Sequence, residues 1–190
     1  MKKSHKPKIL LHACCAPCLT AVYEKIKDDY EITIYWFNPN IYPIEEYQKR
    51  LAELERFCLI RNIPLVKADQ YAADNISWNH LADNVASEPE GGKRCLICFK
   101  YRLLMTAKYA NEHGFDLFGT TLSISPHKNA TQINEIGAAI ADKFEDLKFL
   151  AEDFSDRYKR SIEMCKEYDL YRQNYCGCQF SIRTNSKVKN

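Results

Sequence analysis

The first hydrophobic segment, Lys8 to Ala13, is nearly unbroken, and a short continuous apolar run reads as a parallel strand buried on both faces. A helix is predicted from about Pro17, because proline suits a first helical turn. Glu31 to Phe37 is β-branched and aromatic, a second strand that stops at the turn cluster Asn38, Pro39 and Asn40. Between Pro43 and Asn62 the period changes: Tyr47, Leu51, Leu54 and Cys58 fall on one helical face, with Glu and Arg elsewhere. Leu65 to Ala68 reads as a third strand and Asp116 to Leu122 as a fourth. Before the fourth, Phe99, Leu103, Ala107 and Ala110 mark a helix that ends at Gly114 and carries Cys95 and Cys98 one turn apart near its start. A helix from about Ala130 to Lys143, a strand near Phe149 to Ala151 and a helix from about Asp156 to Tyr168 follow. Strands alternating with helices predict an α/β fold, a parallel sheet with helices on both faces.

In such a sheet function collects at the carboxyl ends of the strands. Cys14, Cys15 and Cys18 lie just past the first strand, and Thr120 to Lys128 should approach the same edge after the fourth. At 190 residues the chain predicts one domain with a core of its own, and the polar residues Thr184 to Asn190 predict a frayed tail.

Charge narrows the partners only slightly. The net charge is +2, so the molecule as a whole is no polycation. From Arg157 onward, however, Arg157, Lys159, Arg160, Lys166, Arg172, Arg183, Lys187 and Lys189 are interleaved with Tyr158, Tyr168, Tyr171 and Tyr175. Cations that pair phosphates beside rings that stack on bases suit a folded RNA or an unpaired loop, and a solvated helix face with half-buried tyrosines would read the same way. The basic start MKKSHKPK leads into an apolar stretch too short for a signal peptide, and no run approaches the roughly 20 apolar residues that span a membrane. The expectation is a cytoplasmic protein, where nine cysteines, an odd number, read as metal-binding or catalytic rather than as a disulfide framework.

The cysteines fall into groups: Cys14 and Cys15 with Cys18, Cys95 with Cys98, and Cys176 with Cys178. Thiolates from separate segments suit soft-metal ligation or thiol-disulfide exchange. Neighbouring side chains diverge, so the adjacent pair Cys14 and Cys15 fits a cluster with separated irons better than one tetrahedral zinc. A zinc clip would instead join Cys95 and Cys98 to Cys176 and Cys178. In the C-x-C the central Gly177 relieves steric conflict, whether the two sulfurs close a strained disulfide or grip a second iron or other divalent metal together with Cys18. Cys58 and Cys165 sit on apolar helical faces and read as small buried hydrophobes. His12, inside a strand, reads as a satisfied core histidine, whereas His127, in a polar loop, is a candidate to bind substrate.

The motifs LLHACCAPC, NPNIYPIEEYQKR, KRCLICFKYRL, TTLSISPHK and YRQNYCGC, in this order, resemble the QueH family of epoxyqueuosine reductases from about Lys8 to Ile182. The resemblance implies reduction of the epoxide of epoxyqueuosine to queuosine at the wobble position of tRNA with a GUN anticodon, the last step of queuosine formation. It also implies a 4Fe-4S cluster on Cys14, Cys15, Cys95 and Cys98, a redox-active pair Cys176 and Cys178, and an electron donor it does not identify. The fold implied is similar to the nucleotide α-hydrolase, HUP-like group, yet CCAPC stands where that group carries a glycine-rich phosphate loop. Tyr171, Arg172 and Tyr175, in the basic C-terminal stretch, join His127 as candidate substrate contacts. Two other readings start from the same cysteines, an ATP-dependent iron-sulfur tRNA thiolase and a noncatalytic zinc-stabilised RNA-binding module.

Overall fold

The computed structural model describes residues 6–68 and 70–182. The tail expected over 184–190 and the basic residues Arg183, Lys187 and Lys189 lie outside them. β1 (Lys8–His12), α1 (Ala16–Ile26), β2 (Glu31–Trp36), α2 (Ile44–Arg61) and β3 (Leu65–Lys67) form the first half. After α3 (Tyr71–Ala82) come α4 (Lys93–Glu112), β4 (Leu117–Thr120), α5 (Ala130–Ala141), β5 (Lys148–Phe149) and α6 (Tyr158–Glu167). The strands make one sheet in the order β3-β2-β1-β4-β5, with all neighbours parallel.

The strand period of two divides the core. Ile9 and Leu11 of β1 face one side, where they join Leu19, Val22, Ile34, Phe57 and Met164 from β2 and the helices α1, α2 and α6. Leu10 points to the other side, toward Phe99, Leu103, Phe118, Ile133 and Ile140 from β4, α4 and α5. Both faces of β1 are therefore covered, which is why its sequence is apolar without alternation.

α5 closes that second layer through Gly137. A methyl added there would lie 2.3 Å from Cζ of Phe149, whose ring is also 5.0 Å from that of Phe118. Gly137→Ala is therefore expected to destabilise the fold by about 1–3 kcal/mol through overpacking, despite the better helix propensity of alanine. Thermal unfolding checks this: a melting temperature equal to or above that of the parent chain would show that the ring moves aside freely.

The helix α3 carries no periodic signal in the sequence and no element was expected there. It buries Trp78 and Ala82 while leaving Ile76 and Leu81 exposed. Its existence depends on Trp78 packing with Cys98 and Cys178, which joins sequence-distant segments.

Candidate active site

β1 is the topological switch point of the sheet, with β2 on one side and β4 on the other, and a crevice opens outside the carboxyl ends. His12 ties the three strand ends together. Its Nε2 lies 3.2 Å from the Phe37 carbonyl, so that nitrogen donates, and Nδ1 accepts from the Thr120 hydroxyl at 3.0 Å. Burial, helped by the Arg102 charge, pushes its pKa down to about 4, which keeps the ring neutral. His12 is a satisfied core histidine, as its strand position implies.

Past His12 the chain turns at Ala13, whose carbonyl accepts from the Asn38 amide at 2.9 Å, and Cys15 caps the start of α1. The Cys15 and Cys18 thiols hydrogen-bond to the Cys14 sulfur and pull its pKa well below the ordinary thiol value. The same contact pushes Cys15 up to about 12 and raises Cys18. On α4, Cys95, Cys98 and Arg102 recur at helical spacing along one face, and the Gly91 amide donates to the Cys95 sulfur at 3.2 Å. Burial pushes Cys98 up to about 12. The C-terminal segment reaches the same place because Ile41 and Cys178 form an antiparallel bridge. Burial raises the Cys178 pKa, and the Cys176 sulfur lies 2.9 Å from the Ser181 hydroxyl.

These three segments enclose a cavity of about 540 Å³ whose wall includes the sulfurs' residues Cys14, Cys95, Cys98, Cys176 and Cys178. Arg94, Arg102, Asn40, Trp78, His127 and Lys128 complete much of it. Cys15 and Cys18, from the same loop as Cys14, are not among the residues that line the wall. Cys58 and Cys165 are buried in the opposite core, as expected of packing residues. All nine cysteines are free thiols.

Of the candidate substrate contacts, His127 lines the cavity and the other three do not. Tyr171 donates to Glu46, Arg172 to the Tyr158 hydroxyl at 2.8 Å, and Tyr175 to the Tyr42 carbonyl. Arg160 pairs with Glu24 and Glu167, so much of the described basic, tyrosine-rich stretch is engaged within the chain. Arg102 and Asn40 are among the wall residues that the sequence did not flag. Arg102 is only 4% exposed and follows Cys98 by one helical turn, a spacing that could have flagged it. Asn40 was read only as part of a turn, yet it is buried with its side-chain oxygen unpartnered.

Among the described residues no three His, Cys, Asp or Glu side chains form a close group able to hold a single metal ion. The thiols are instead distributed around a cavity, with a buried arginine beside them to offset negative charge. That donor set fits a thiolate-bound cluster with a volume of its own.

Fold and site together define a parallel α/β protein, consistent with the HUP-like group, whose switch-point cavity is lined by thiols, a setting for redox chemistry. The chain belongs to the epoxyqueuosine reductase family: the family model "Epoxyqueuosine reductase QueH" matches residues 9–184. It is 42% identical to "Epoxyqueuosine reductase QueH" of Streptococcus pyogenes serotype M1, over 96% of this chain and 73% of that protein. The protein of the same name from Staphylococcus epidermidis is 41% identical over 95% of this chain and 78% of its own length. The chain is accordingly an oxidoreductase.

Proposed function

We propose that this chain performs its family's reaction, reduction of epoxyqueuosine in tRNA, inside the thiol-lined cavity. The cofactor is a 4Fe-4S cluster on Cys14, Cys15, Cys95 and Cys98. The observation that carries the reading is the convergence of Cys14, Cys95, Cys98, Cys176 and Cys178 from three segments on one wall. Cys15, next to Cys14 in the first loop, is the fourth ligand.

Removing the epoxide oxygen as water takes two electrons and two protons and leaves the alkene. When bound, the cluster supplies electrons one at a time. Oxidation of the Cys176 and Cys178 thiols to a disulfide releases two electrons and two protons, which balances the reaction, and an external electron donor then restores the thiols. Cys18 lies with Cys14 and Cys15 rather than on the wall with Cys176 and Cys178, which favours this pairing over a second iron held by the three. Arg102 places a fixed positive charge where charge develops on the departing oxygen, in a site sheltered from water. Asn40 and His127 hold the modified base against the wall by hydrogen bonds. An anticodon loop is partly unpaired, so extruding its wobble base into the cavity costs comparatively little. A tRNA substrate accords with a cytoplasmic setting. Among the described residues no helix is long and apolar enough to cross a membrane.

The test is turnover of tRNA with a GUN anticodon carrying epoxyqueuosine by the anaerobically reconstituted, reduced protein. Mass analysis of the digested tRNA should show loss of one oxygen without added ATP. A product that has gained sulfur, or a requirement for ATP, would replace this reading with a tRNA thiolase.

A further inference from the structure

The segment Tyr175–Cys178 has no helix or strand of its own, yet each of its backbone carbonyls has a donor. Arg50 of α2 supplies the first two, Nη2 to Tyr175 at 3.1 Å and Nη1 to Cys176 at 3.2 Å. The Tyr42 amide donates to the Gly177 carbonyl at 2.8 Å, and the Ser181 hydroxyl to that of Cys178 at 2.8 Å. Arg50 is 1% exposed, and an isolated buried guanidinium would be strongly destabilising. Its charge is met by Glu46, 2.6 Å from Nε, and Glu46 in turn accepts from the Tyr171 hydroxyl at 3.0 Å.

The chain crosses this guanidinium closely enough that a side chain at Gly177 would crowd it. Gly177 has φ +103°, and a Cβ there would lie 3.0 Å from Arg50 Nη1 and 3.1 Å from Ile41 Cγ1. The glycine of the C-x-C is therefore explained by passage over a buried arginine, not only by the geometry of a disulfide between its neighbours.

We propose that Arg50, held by Glu46, is a positioning residue that latches the C-x-C segment so that both thiols stay on the cavity wall. It touches neither sulfur and acts through the two carbonyls that precede and flank them. A surface arginine at such a spacing would be unremarkable in energy, but here the fork binds two carbonyls more than 120 residues away in sequence. Lysine, with one point charge, cannot reproduce the fork. The consequence for catalysis rests on the role proposed above for Cys176 and Cys178, whereas the latch itself can be tested without substrate.

The experiment measures alkylation of each cysteine by iodoacetamide, read by peptide mass spectrometry on the full-length, reconstituted protein under anaerobic conditions. Arg50→Lys should speed modification of Cys176 and Cys178 about tenfold, the effect of losing a charge-assisted hydrogen bond on a local opening equilibrium, and leave Cys58 and Cys165 unchanged. In turnover the same variant should lower kcat with KM for tRNA unchanged. Unchanged rates at Cys176 and Cys178, or equal acceleration at all cysteines, would overturn the latch. Should Arg50→Lys not fold, Glu46→Gln takes away the charge that holds the guanidinium while leaving the arginine in place, and should produce a smaller acceleration confined to the same two thiols. Its absence would count equally against the proposal. Because alkylation is read without tRNA, a chain that labels as expected but does not reduce epoxyqueuosine refutes the catalytic reading and leaves the latch standing.

Discussion

Arg102→Met lowers kcat by about 10²–10³-fold, the loss seen when a preorganised electrostatic contact to a developing oxyanion is removed. Arg102, on α4, is buried on the cavity wall, and its Nε donates to the Cys98 carbonyl at 3.3 Å. Its charge favours the thiolate forms of Cys14 and Cys98, opposing the burial that raises Cys98, and adds to the burial that keeps His12 neutral. Methionine preserves much of the side-chain volume, so packing against Phe99 is retained and the missing property is charge. Arg102→Lys, which keeps the charge but not the planar fork, should recover part of the rate. Steady-state kinetics on reconstituted protein with matched iron content checks this. A kcat for Arg102→Met close to that of the parent would remove Arg102 from the reaction.

The second large effect concerns iron. Replacement of Cys14, Cys15, Cys95 or Cys98 by alanine should remove most of the roughly four irons and accompanying labile sulfide per chain, since no packing substitute replaces a thiolate ligand. Cys15→Ala is the most informative of the four, because Cys15 is buried and does not line the cavity. Cys58→Ala and Cys165→Ala should keep the iron, with only the modest stability loss of a small buried side chain. Iron and sulfide analysis of anaerobically purified variants decides it. Full iron in Cys15→Ala would transfer the fourth ligand to another thiol, and iron loss in Cys58→Ala equal to that in Cys14→Ala would contradict the assignment. Stoichiometric zinc without iron in the parent chain would favour a zinc-stabilised module.

Much of this architecture was legible before any tertiary contact was known. An unbroken Ile-Leu-Leu run specifies a strand covered on both sides, and a run of that kind followed by CCAPC places thiols at a strand end. The 3.6-residue spacing of Leu54 and Cys58 likewise assigned Cys58 to a core, where it lies. By contrast α3 was invisible, because Ile76 and Leu81 face outward and the helix is anchored chiefly through Trp78.

Local periodicity and residue chemistry thus determined the parallel α/β class and the thiol-bearing segments, since both are properties of residues a few positions apart. Only the tertiary structure decided which thiols share a wall. Adjacent side chains diverge, so Cys14 lines the cavity and Cys15 does not. It also decided the roles of Arg50 and Arg102, which in sequence look like two more polar positions on amphipathic helices. Their burial is tolerable only because partners arrive from elsewhere in the fold, Glu46 with the carbonyls of Tyr175 and Cys176 for one, and the cysteine-rich wall for the other.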